Sequence, residues 1–188
     1  MMPDLQIYLF GSFRLLVKGA VVVNSAWQKR RARLLVQILA LKKTHGLNRE
    51  ELEQNPRLSD YVVHDLNGNP VLPFGNQEFE AVICTVSVEY LTHPGEIFRE
   101  AARILKPGGI FILTFSHRWF PPKVVRIWTE LLEWERPGLV LEYFLLNGAF
   151  DHLHTFSARG WPRPVSDRYF PQVPVSDPIY AVWGQTRG

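Results

Sequence analysis

The sequence has almost no cysteine and no long hydrophobic run. Cys84 is the single cysteine among 188 residues, which excludes an internal disulfide and a zinc site built on several cysteines. No apolar stretch approaches the ~20 residues that cross a membrane, and the N-terminus lacks the basic start and small-residue cleavage site of a signal peptide. With 46% hydrophobic residues, the sequence predicts a globular, cytoplasmic protein without a membrane partner.

Histidines are few, and their spacing does not favour a metal centre. His152 and His154 alternate along a predicted strand, but no third ligand lies near them in the sequence. Metal sites in proteins use three or four ligands at set spacings. We therefore expect no metal site.

Charge is distributed unevenly along the chain. Residues 1–46 contain eight lysines and arginines and a single acid, Asp4, for a net charge of +7, whereas the other 142 residues have a net charge of −4. Such asymmetry indicates a segment that binds acidic partners or nucleic acid, joined to an ordinary soluble domain. We predict two parts, residues 1–46 and residues 47–188.

The basic segment has three short extended runs, "LQIYLF", "FRLLV" and "AVVVN", followed by a helix. Ser25 and Gln28 form a capping-box pattern at the start of that helix. Its first turns contain four basic residues, Lys29, Arg30, Arg31 and Arg33. These residues are either a phosphate-binding surface or a solvated helix face.

Together, "LFGSFRLLVKG", "SAWQKRRARLLVQILAL" and "LNREEL" resemble the start of the winged-helix domain of SARP-type transcriptional activators. In that family the recognition helix and wing follow this segment. Here the chain continues after Gln54 into "NPRLSDYVVHDLNGNP", which has neither. The resemblance therefore implies weak DNA binding through phosphates without base readout.

The second part contains strand-like runs at regular intervals. "YVVHDL" predicts a strand that ends near Asp65, "FEAVICTVS" a second strand, and "IFILTFS" a third, preceded by a helix and the turn "KPGG". Further on, apolar residues recur at helical spacing and predict a helix that packs on the core; they are Val124, Ile127, Trp128, Leu131 and Leu132. The runs "GLVLEYFLLNGAF", "DHLHTFS" and "DPIYAVWGQT" fit a last helix and two closing strands.

These elements, in this order, resemble the class I S-adenosylmethionine-dependent methyltransferases, in particular the methyltransferase type 11-like proteins. The resemblance covers residues 47–188 and implies an α/β fold, a truncated Rossmann-like sheet with a small winged-helix-like segment before it. Ligands of such sheets lie at the carboxyl ends of the strands. The resemblance also implies S-adenosylmethionine as cofactor.

The resemblance assigns candidate roles at that end of the sheet. Asp65 would accept a hydrogen bond from the adenine amino group, and the backbone of Leu66 would meet the ring edge; alternatively, Asp65 forms an Asx-turn. Thr85 and Ser87 are candidates for the cofactor site. Glu89 and Tyr90 are candidates for orienting a small-molecule acceptor, although they could also cap the next helix or face solvent.

His117 follows the third predicted strand and is the candidate general base, because one imidazole nitrogen accepts a proton near neutral pH.

One expected element is missing from the sequence. The family holds the methionine end of its cofactor on a glycine-rich loop after the first strand, but no G-x-G pattern lies before Tyr61. Loss of the first strands would leave an apolar sheet edge, which the N-terminal segment could cover or which could support a homodimer. We therefore predict a methyltransferase-like protein of unknown acceptor with impaired activity; the alternative is a DNA-binding regulatory module.

Overall fold

The structure is a computed structural model that describes residues 5–8, 14–17, 20–21, 62 and 64–188. The chain divides into two units, Met1–Arg33 and Leu34–Gly188. This division falls inside the segment 1–46 that the charge asymmetry defines, and the boundary at residue 46 stays a prediction. The predicted helix with its basic cluster lies outside the described residues.

The first unit contains a three-stranded antiparallel sheet in the order β1-β2-β3. Its strands are β1 (Leu5–Tyr8), β2 (Arg14–Val17) and β3 (Ala20–Val21). Leu5 pairs with Val17, and Val17 with Ala20. The three extended runs predicted from the sequence are therefore confirmed.

The second unit is a mixed α/β structure around a four-stranded sheet in the order β4-β5-β7-β6. β4 and β5 are parallel, whereas β7 is antiparallel to both β5 and β6. Its elements, in chain order, are β4 (Phe79–Thr85), a 3-10 helix (Val88–Tyr90), α1 (Pro94–Ile104), β5 (Leu105–Phe115), α2 (Arg126–Glu130), α3 (Arg136–Asn147), β6 (Phe150–Ala158) and β7 (Ile179–Thr186). The predicted β4, β5, last helix and closing strands are confirmed.

Helix α1 begins where the sequence favours a helix start. His93 is the N-cap and Pro94 occupies the first turn, where its missing N–H removes no helical hydrogen bond. Apolar residues three and four positions apart then form one buried face, which packs on the sheet; these residues are Ile97, Phe98, Ala101 and Ile104.

Aromatic side chains join α1, α3 and the sheet. The ring of Phe98 packs edge-on against Phe111 of β5 and Phe144 of α3, with centroid distances of 5.0 and 4.9 Å. Phe144 also packs against Phe150 of β6 at 5.1 Å. Because α1 and α3 share these contacts, both helices cover the same face of the sheet and leave the strand ends for the candidate site.

The "KPGG" sequence lies within β5 rather than in a turn before it. The pairing with β4 moves from Phe79 and Leu105 to Ala81 and Ile110, so the intervening residues form a bulge. Gly108 has a φ of 73°, which a glycine adopts without strain. Thr186 fixes the bulge by donating to the carbonyl oxygen of Lys106 at 2.7 Å.

The strand predicted at "YVVHDL" is wrong for the residues that the structure describes. Val62, His64 and Asp65 are not in a strand, while Tyr61 and Val63 lie outside the described residues. The Asp65 carbonyl accepts hydrogen bonds from the amides of Gly68 and Asn69, which folds the backbone into a turn. Turn-forming Asp, Asn and Gly residues here override the apolar pattern.

The apolar run after Pro122 forms a shorter helix than its spacing predicts. Helix α2 has five residues and ends because Leu131 takes an extended conformation. Trp128 is buried as expected, but Ile127 and Leu132 are 45% and 59% exposed. None of the described helices combines the length and apolar character needed to cross a membrane.

Candidate functional site

The carboxyl ends of β4 and β5 lie side by side, since Thr85 pairs with Thr114 in the parallel register. The hydroxyl of Thr114 donates to the hydroxyl of Thr85 at 3.2 Å, and the hydroxyl of Ser87 donates to the Thr85 carbonyl at 2.9 Å. Ser87 is fully buried. The structure thus places both cofactor candidates at the predicted edge and gives each of their hydroxyls a partner within the chain.

Asp65 makes the Asx-turn that the sequence left open as an alternative. Its Oδ1 accepts hydrogen bonds from the amides of Asn67 at 3.2 Å and Gly68 at 3.3 Å, and Leu66 packs its side chain into the core. Asn67 donates to the Tyr90 carbonyl at 2.9 Å. This bond connects the predicted adenine-binding turn to the segment after β4.

Glu89 lies in the 3-10 helix that follows β4, and its side chain is fully buried. Neither carboxylate oxygen has a hydrogen-bond partner among the described residues. Burial raises the pKa of Glu89 to about 7, while its own backbone amide and the charge of Arg136 oppose the rise. A carboxyl group with this pKa can hold or accept a proton near neutrality.

Arg136, the first residue of α3, is buried, and its charge acts on the Glu89 carboxyl group. Its Nη1 donates to the His117 carbonyl at 3.1 Å and its Nη2 to the Leu131 carbonyl at 3.3 Å. The guanidinium carbon lies 4.2 Å from the ring centre of Trp119, and desolvation lowers the pKa of Arg136. These contacts hold the positive charge of Arg136 in place.

The segment after β5 contacts both acceptor-site candidates. The amide of Val125 donates to the Glu89 carbonyl at 3.0 Å, and the amide of Phe120 donates to the Tyr90 hydroxyl at 3.0 Å. Tyr90 is buried, and burial raises the pKa of its phenol. The structure therefore brings Glu89 and Tyr90 together beneath the 116–135 segment, so neither side chain faces solvent.

His117, the candidate general base, lies at the start of this segment. Its Nε2 is 3.9 Å from Oδ1 of Asp177, and its buried Nδ1 has no hydrogen-bond partner among the described residues. Arg118 forms a closer ion pair with the same carboxylate, at 3.0 Å. The carbonyl of His117 accepts a hydrogen bond from Arg136 at 3.1 Å.

Neither Arg136 nor its contact with the Trp128 ring was predicted from the sequence. Arg136 stands beside Glu135 and Pro137 at a helix start, where an arginine is ordinarily solvated, and nothing local indicates its burial. The nucleic-acid candidates Lys29, Arg30, Arg31 and Arg33 lie outside the described residues. Within residues 64–188, no three His, Cys, Asp or Glu side chains come together as metal ligands would.

An open groove of about 460 Å³ lies beside the start of α3. Tyr180 lines it and stacks on Phe115 at 5.6 Å, and Phe115 packs edge-on against Trp128 at 5.1 Å. The other lining residues come from the turn before α3, from α3 itself and from β6; they are Trp134, Pro137, Gly138, Leu141, Thr155, Ser157 and Arg159.

Part of the chain is similar to a family of known proteins. Residues 22–113 match the family model described as a methyltransferase domain. Nearly half of the chain is therefore similar to a methyltransferase domain. The match begins before the predicted boundary at residue 46 and ends in β5, so it includes the segment with Glu89 and Tyr90.

Individual methyltransferases resemble the chain at low identity. The demethylmenaquinone methyltransferase of Renibacterium salmoninarum is 27% identical over 68% of this chain and 52% of its own length. A ubiquinone/menaquinone biosynthesis C-methyltransferase of Bartonella henselae is 32% identical over 57% of this chain and 41% of its own length. The chain spans about half or less of the length of these curated relatives.

Among solved structures, an S-adenosylmethionine-dependent methyltransferase of Mesorhizobium loti aligns with 74% of this chain and 77% of its own, at 16% identity and a TM-score of 0.44.

Proposed function

We propose that the chain is an S-adenosylmethionine-dependent methyltransferase of a small-molecule acceptor, with a weakened hold on its cofactor. The observation that carries the proposal is Glu89, a fully buried carboxyl group without a hydrogen-bond partner among the described residues, directly after β4. The resemblance to methyltransferases implies that the segment after β4 sets the donor methyl group against the acceptor. A buried carboxyl group without a structural partner favours a role toward a ligand.

The residues near Asp65 fit the adenine end of the cofactor. A carboxylate offers about four lone-pair sites, so the Asx-turn of Asp65 is compatible with a further bond from an amino group. The Leu66 backbone would meet the ring edge, and Thr85 and Ser87 would border the cofactor. When bound, S-adenosylmethionine supplies the electrophilic methyl group.

The chain's own residues would then position the acceptor and accept its proton. Glu89 and Tyr90 would orient the acceptor, and either Glu89 or His117 would accept the proton released on methylation. The pKa of Glu89, about 7, suits that role because the group can exist in both protonation states near neutrality.

The weak hold on the cofactor follows from the sequence before Tyr61, which has no G-x-G pattern for the methionine end. With the adenine end bound and the other end poorly held, we expect a dissociation constant in the high micromolar range, about −5 kcal/mol of binding free energy. Calorimetric titration of S-adenosylmethionine and S-adenosylhomocysteine into the purified chain measures it directly.

Asp65→Ala should weaken this binding further, while Asp151→Ala, at a partly exposed position of β6, serves as the control. Binding that Asp65→Ala leaves unchanged would contradict the assigned adenine site. An assay with a panel of small acceptors tests the reaction itself; methyl transfer is measured by the release of S-adenosylhomocysteine.

A second candidate function, DNA binding, rests on the net charge of +7 in residues 1–46. A cluster of cations attracts nucleic-acid phosphates and releases their counterions. Without a recognition helix, the binding would be weak and independent of sequence.

A further inference from the structure

One side chain connects the turn at residues 65–69 to the segment that follows β4. The Nδ2 of Asn67 donates to the Tyr90 carbonyl at 2.9 Å, and its Oδ1 accepts from the amide and the hydroxyl of Thr92 at 2.9 and 3.0 Å. The three bonds span 23 and 25 residues of sequence. They use both lone-pair sites of the amide oxygen and one of the two N–H groups of the side chain. Asn67 therefore directs most of its hydrogen-bonding capacity to this one contact.

The backbone of Asn67 belongs to the turn itself. Its N–H donates to Oδ1 of Asp65 at 3.2 Å, and the intervening Leu66 is buried in the core. We call residues 65–69 the adenine turn, since the proposed function assigns the adenine end of the cofactor to Asp65 and Leu66. One residue thus binds the adenine turn through its backbone and the segment after β4 through its side chain.

On the other side, Asn67 contacts the segment between the 3-10 helix and α1. Tyr90 is the last residue of the 3-10 helix, and Thr92 precedes His93, the N-cap of α1. The hydroxyl of Thr92 also lies 2.9 Å from Nδ1 of His93, while the Tyr90 hydroxyl accepts from the Phe120 amide at 3.0 Å. Because Tyr90 is 2% exposed, a small displacement of its backbone moves a ring that is packed on all sides.

The contact requires an asparagine. A carboxamide presents a donor and an acceptor side by side, which the Tyr90 carbonyl and the Thr92 donors match. An aspartate of the same shape has no donor and would place a negative oxygen against the Tyr90 carbonyl. Asn69, in the same turn, lacks this constraint, because its Oδ1 accepts from the Val71 amide at 3.1 Å and an aspartate retains that bond.

We propose that Asn67 is a positioning residue that couples the adenine turn to Tyr90. A ligand that contacts Asp65 fixes the turn, and the bond from the Asn67 amide then fixes the Tyr90 backbone, so the segment that orients the acceptor takes one position when the adenine end is occupied. The inference rests on the proposed function, which assigns the adenine end to Asp65 and the acceptor to Tyr90. Because coupling between two sites is reciprocal, a ligand held at Tyr90 strengthens adenine binding by the same factor.

The test observes Tyr90 by fluorine NMR in the full chain labelled with 3-fluorotyrosine. The chain has six tyrosines, and Tyr90→Phe identifies the Tyr90 resonance by its loss. Adenosine, which lacks the methionine end of the cofactor, is the titrant, and inosine, which replaces the 6-amino group by a carbonyl, is the matched probe. We expect adenosine to shift the Tyr90 resonance in a saturable way, and inosine to bind at least about tenfold more weakly. The resonance of Tyr169, a 47% exposed residue, should not shift.

Two substitutions in the turn locate the coupling. Asn67→Asp keeps the shape and removes the donor, so adenosine should still bind, about fivefold more weakly, while the Tyr90 resonance loses most of its shift at saturation. Asn69→Asp adds the same charge to the same turn and keeps the bond from Val71, so the shift should match the wild type. A purely structural role of Asn67 would change the position of the Tyr90 resonance in the free protein but not its shift on adenosine binding.

Thr92→Val weakens the same contact from the other side. Thr92 is exposed, so this variant should fold, and loss of its hydroxyl should reduce the shift of the Tyr90 resonance in part.

The outcomes separate this inference from the proposed function. Adenosine binding without a Tyr90 shift in the wild type, or equal shifts in Asn67→Asp and Asn69→Asp, would overturn the coupling and leave the methyltransferase proposal standing. Absence of binding by both adenosine and S-adenosylhomocysteine would overturn both. If the shift occurs as expected but no acceptor is methylated, the coupling stands and methyl transfer fails.

Discussion

The charge of Arg136 acts on the buried Glu89 carboxyl group, yet Arg136 gives its two Nη hydrogen bonds to the backbone carbonyls of His117 and Leu131. The Glu89 carboxylate oxygens accept no hydrogen bond from any other described residue. A buried ion pair stabilises a protein only when good geometry offsets desolvation. This arrangement lacks such geometry, so the Glu89 carboxylate should reduce stability when it is ionised.

The first prediction is a pH-dependent effect of Glu89→Gln on stability. The folded protein holds the Glu89 proton up to a pKa of about 7, above the ordinary value of 4.5. Between these values the folded state binds more protons than the unfolded state, so the free energy of unfolding falls as pH rises. This group should account for a loss of roughly 3 kcal/mol from pH 4.5 to above pH 7.

Glu89→Gln removes that loss, so its stability relative to the wild type should increase across the same range. Urea unfolding at several pH values measures the difference, and Glu142→Gln, on the exposed side of α3, is the control. A difference that stays constant from pH 4.5 to pH 8 would contradict the prediction.

The second prediction concerns Gly109 in the bulge of β5. A Cβ at this position would lie 2.8 Å from the Lys106 carbonyl oxygen and 3.2 Å from that of Glu80, and both are backbone atoms that cannot rotate away. Gly109→Ala should therefore destabilise the protein by about 1–3 kcal/mol.

Gly95→Ala is the matched control, since a Cβ there meets nothing within 4 Å and the residue lies in α1. Alanine favours the helix by up to about 1 kcal/mol over glycine, so this variant should have unchanged or higher stability. Thermal unfolding of both variants measures the difference. Similar melting temperatures for the two variants would contradict the predicted steric clash at residue 109.

The third prediction tests the aromatic core. Phe111 is fully buried and contacts Phe98, Phe144 and Phe150. Phe111→Ala should lower the free energy of unfolding by about 3–5 kcal/mol because it leaves a cavity. Phe156→Ala, at a 45% exposed position in β6, should have a much smaller effect. Chemical denaturation measures both losses. Equal losses of free energy of unfolding for the two variants would show that the core does not centre on Phe111.

The fourth prediction concerns the basic segment. If Lys29, Arg30, Arg31 and Arg33 bind phosphates, the chain should bind duplex DNA with a dissociation constant on the order of 10⁻⁴ to 10⁻⁶ M at physiological salt, and the affinity should fall steeply with added salt. Fluorescence anisotropy over a salt series measures the slope.

Alanine at Lys29, Arg30 and Arg31 should flatten that slope, whereas Arg126→Ala, an exposed arginine of the second unit, should not. Absence of binding even at low salt would make the cluster a solvated helix face. A preferred DNA sequence that persists at high salt would instead favour regulation as the main function.

The sequence predicted the elements whose signals are local. β4, β5 and α1 were found because apolar runs and a proline at a helix start depend only on neighbouring residues. The short α2 was not, since the apolar spacing continues through Leu132 while the backbone turns at Leu131. The sequence could not decide between an Asx-turn and an adenine contact at Asp65, because both use the same side chain.

The candidate site was only half predictable for the same reason. Glu89 was selected by its position after a predicted strand, but its buried surroundings involve residues far along the chain, such as Val125, whose amide donates to the Glu89 carbonyl. Whether a carboxyl group has a partner is a property of tertiary packing. No pattern around Arg136 indicates that its charge faces aromatic rings instead of water.

The order of strands in the second sheet has a consequence for synthesis. β7 is the last strand in the sequence, yet it lies between β5 and β6 and pairs with both. During translation, β5 and β6 leave the ribosome before β7, the strand that pairs with both, has been synthesised. Their unpaired edges remain open to other chains until residues 179–186 emerge. A chaperone that binds nascent chains would therefore find its target in β6, and slow translation after residue 158 would lengthen that exposure.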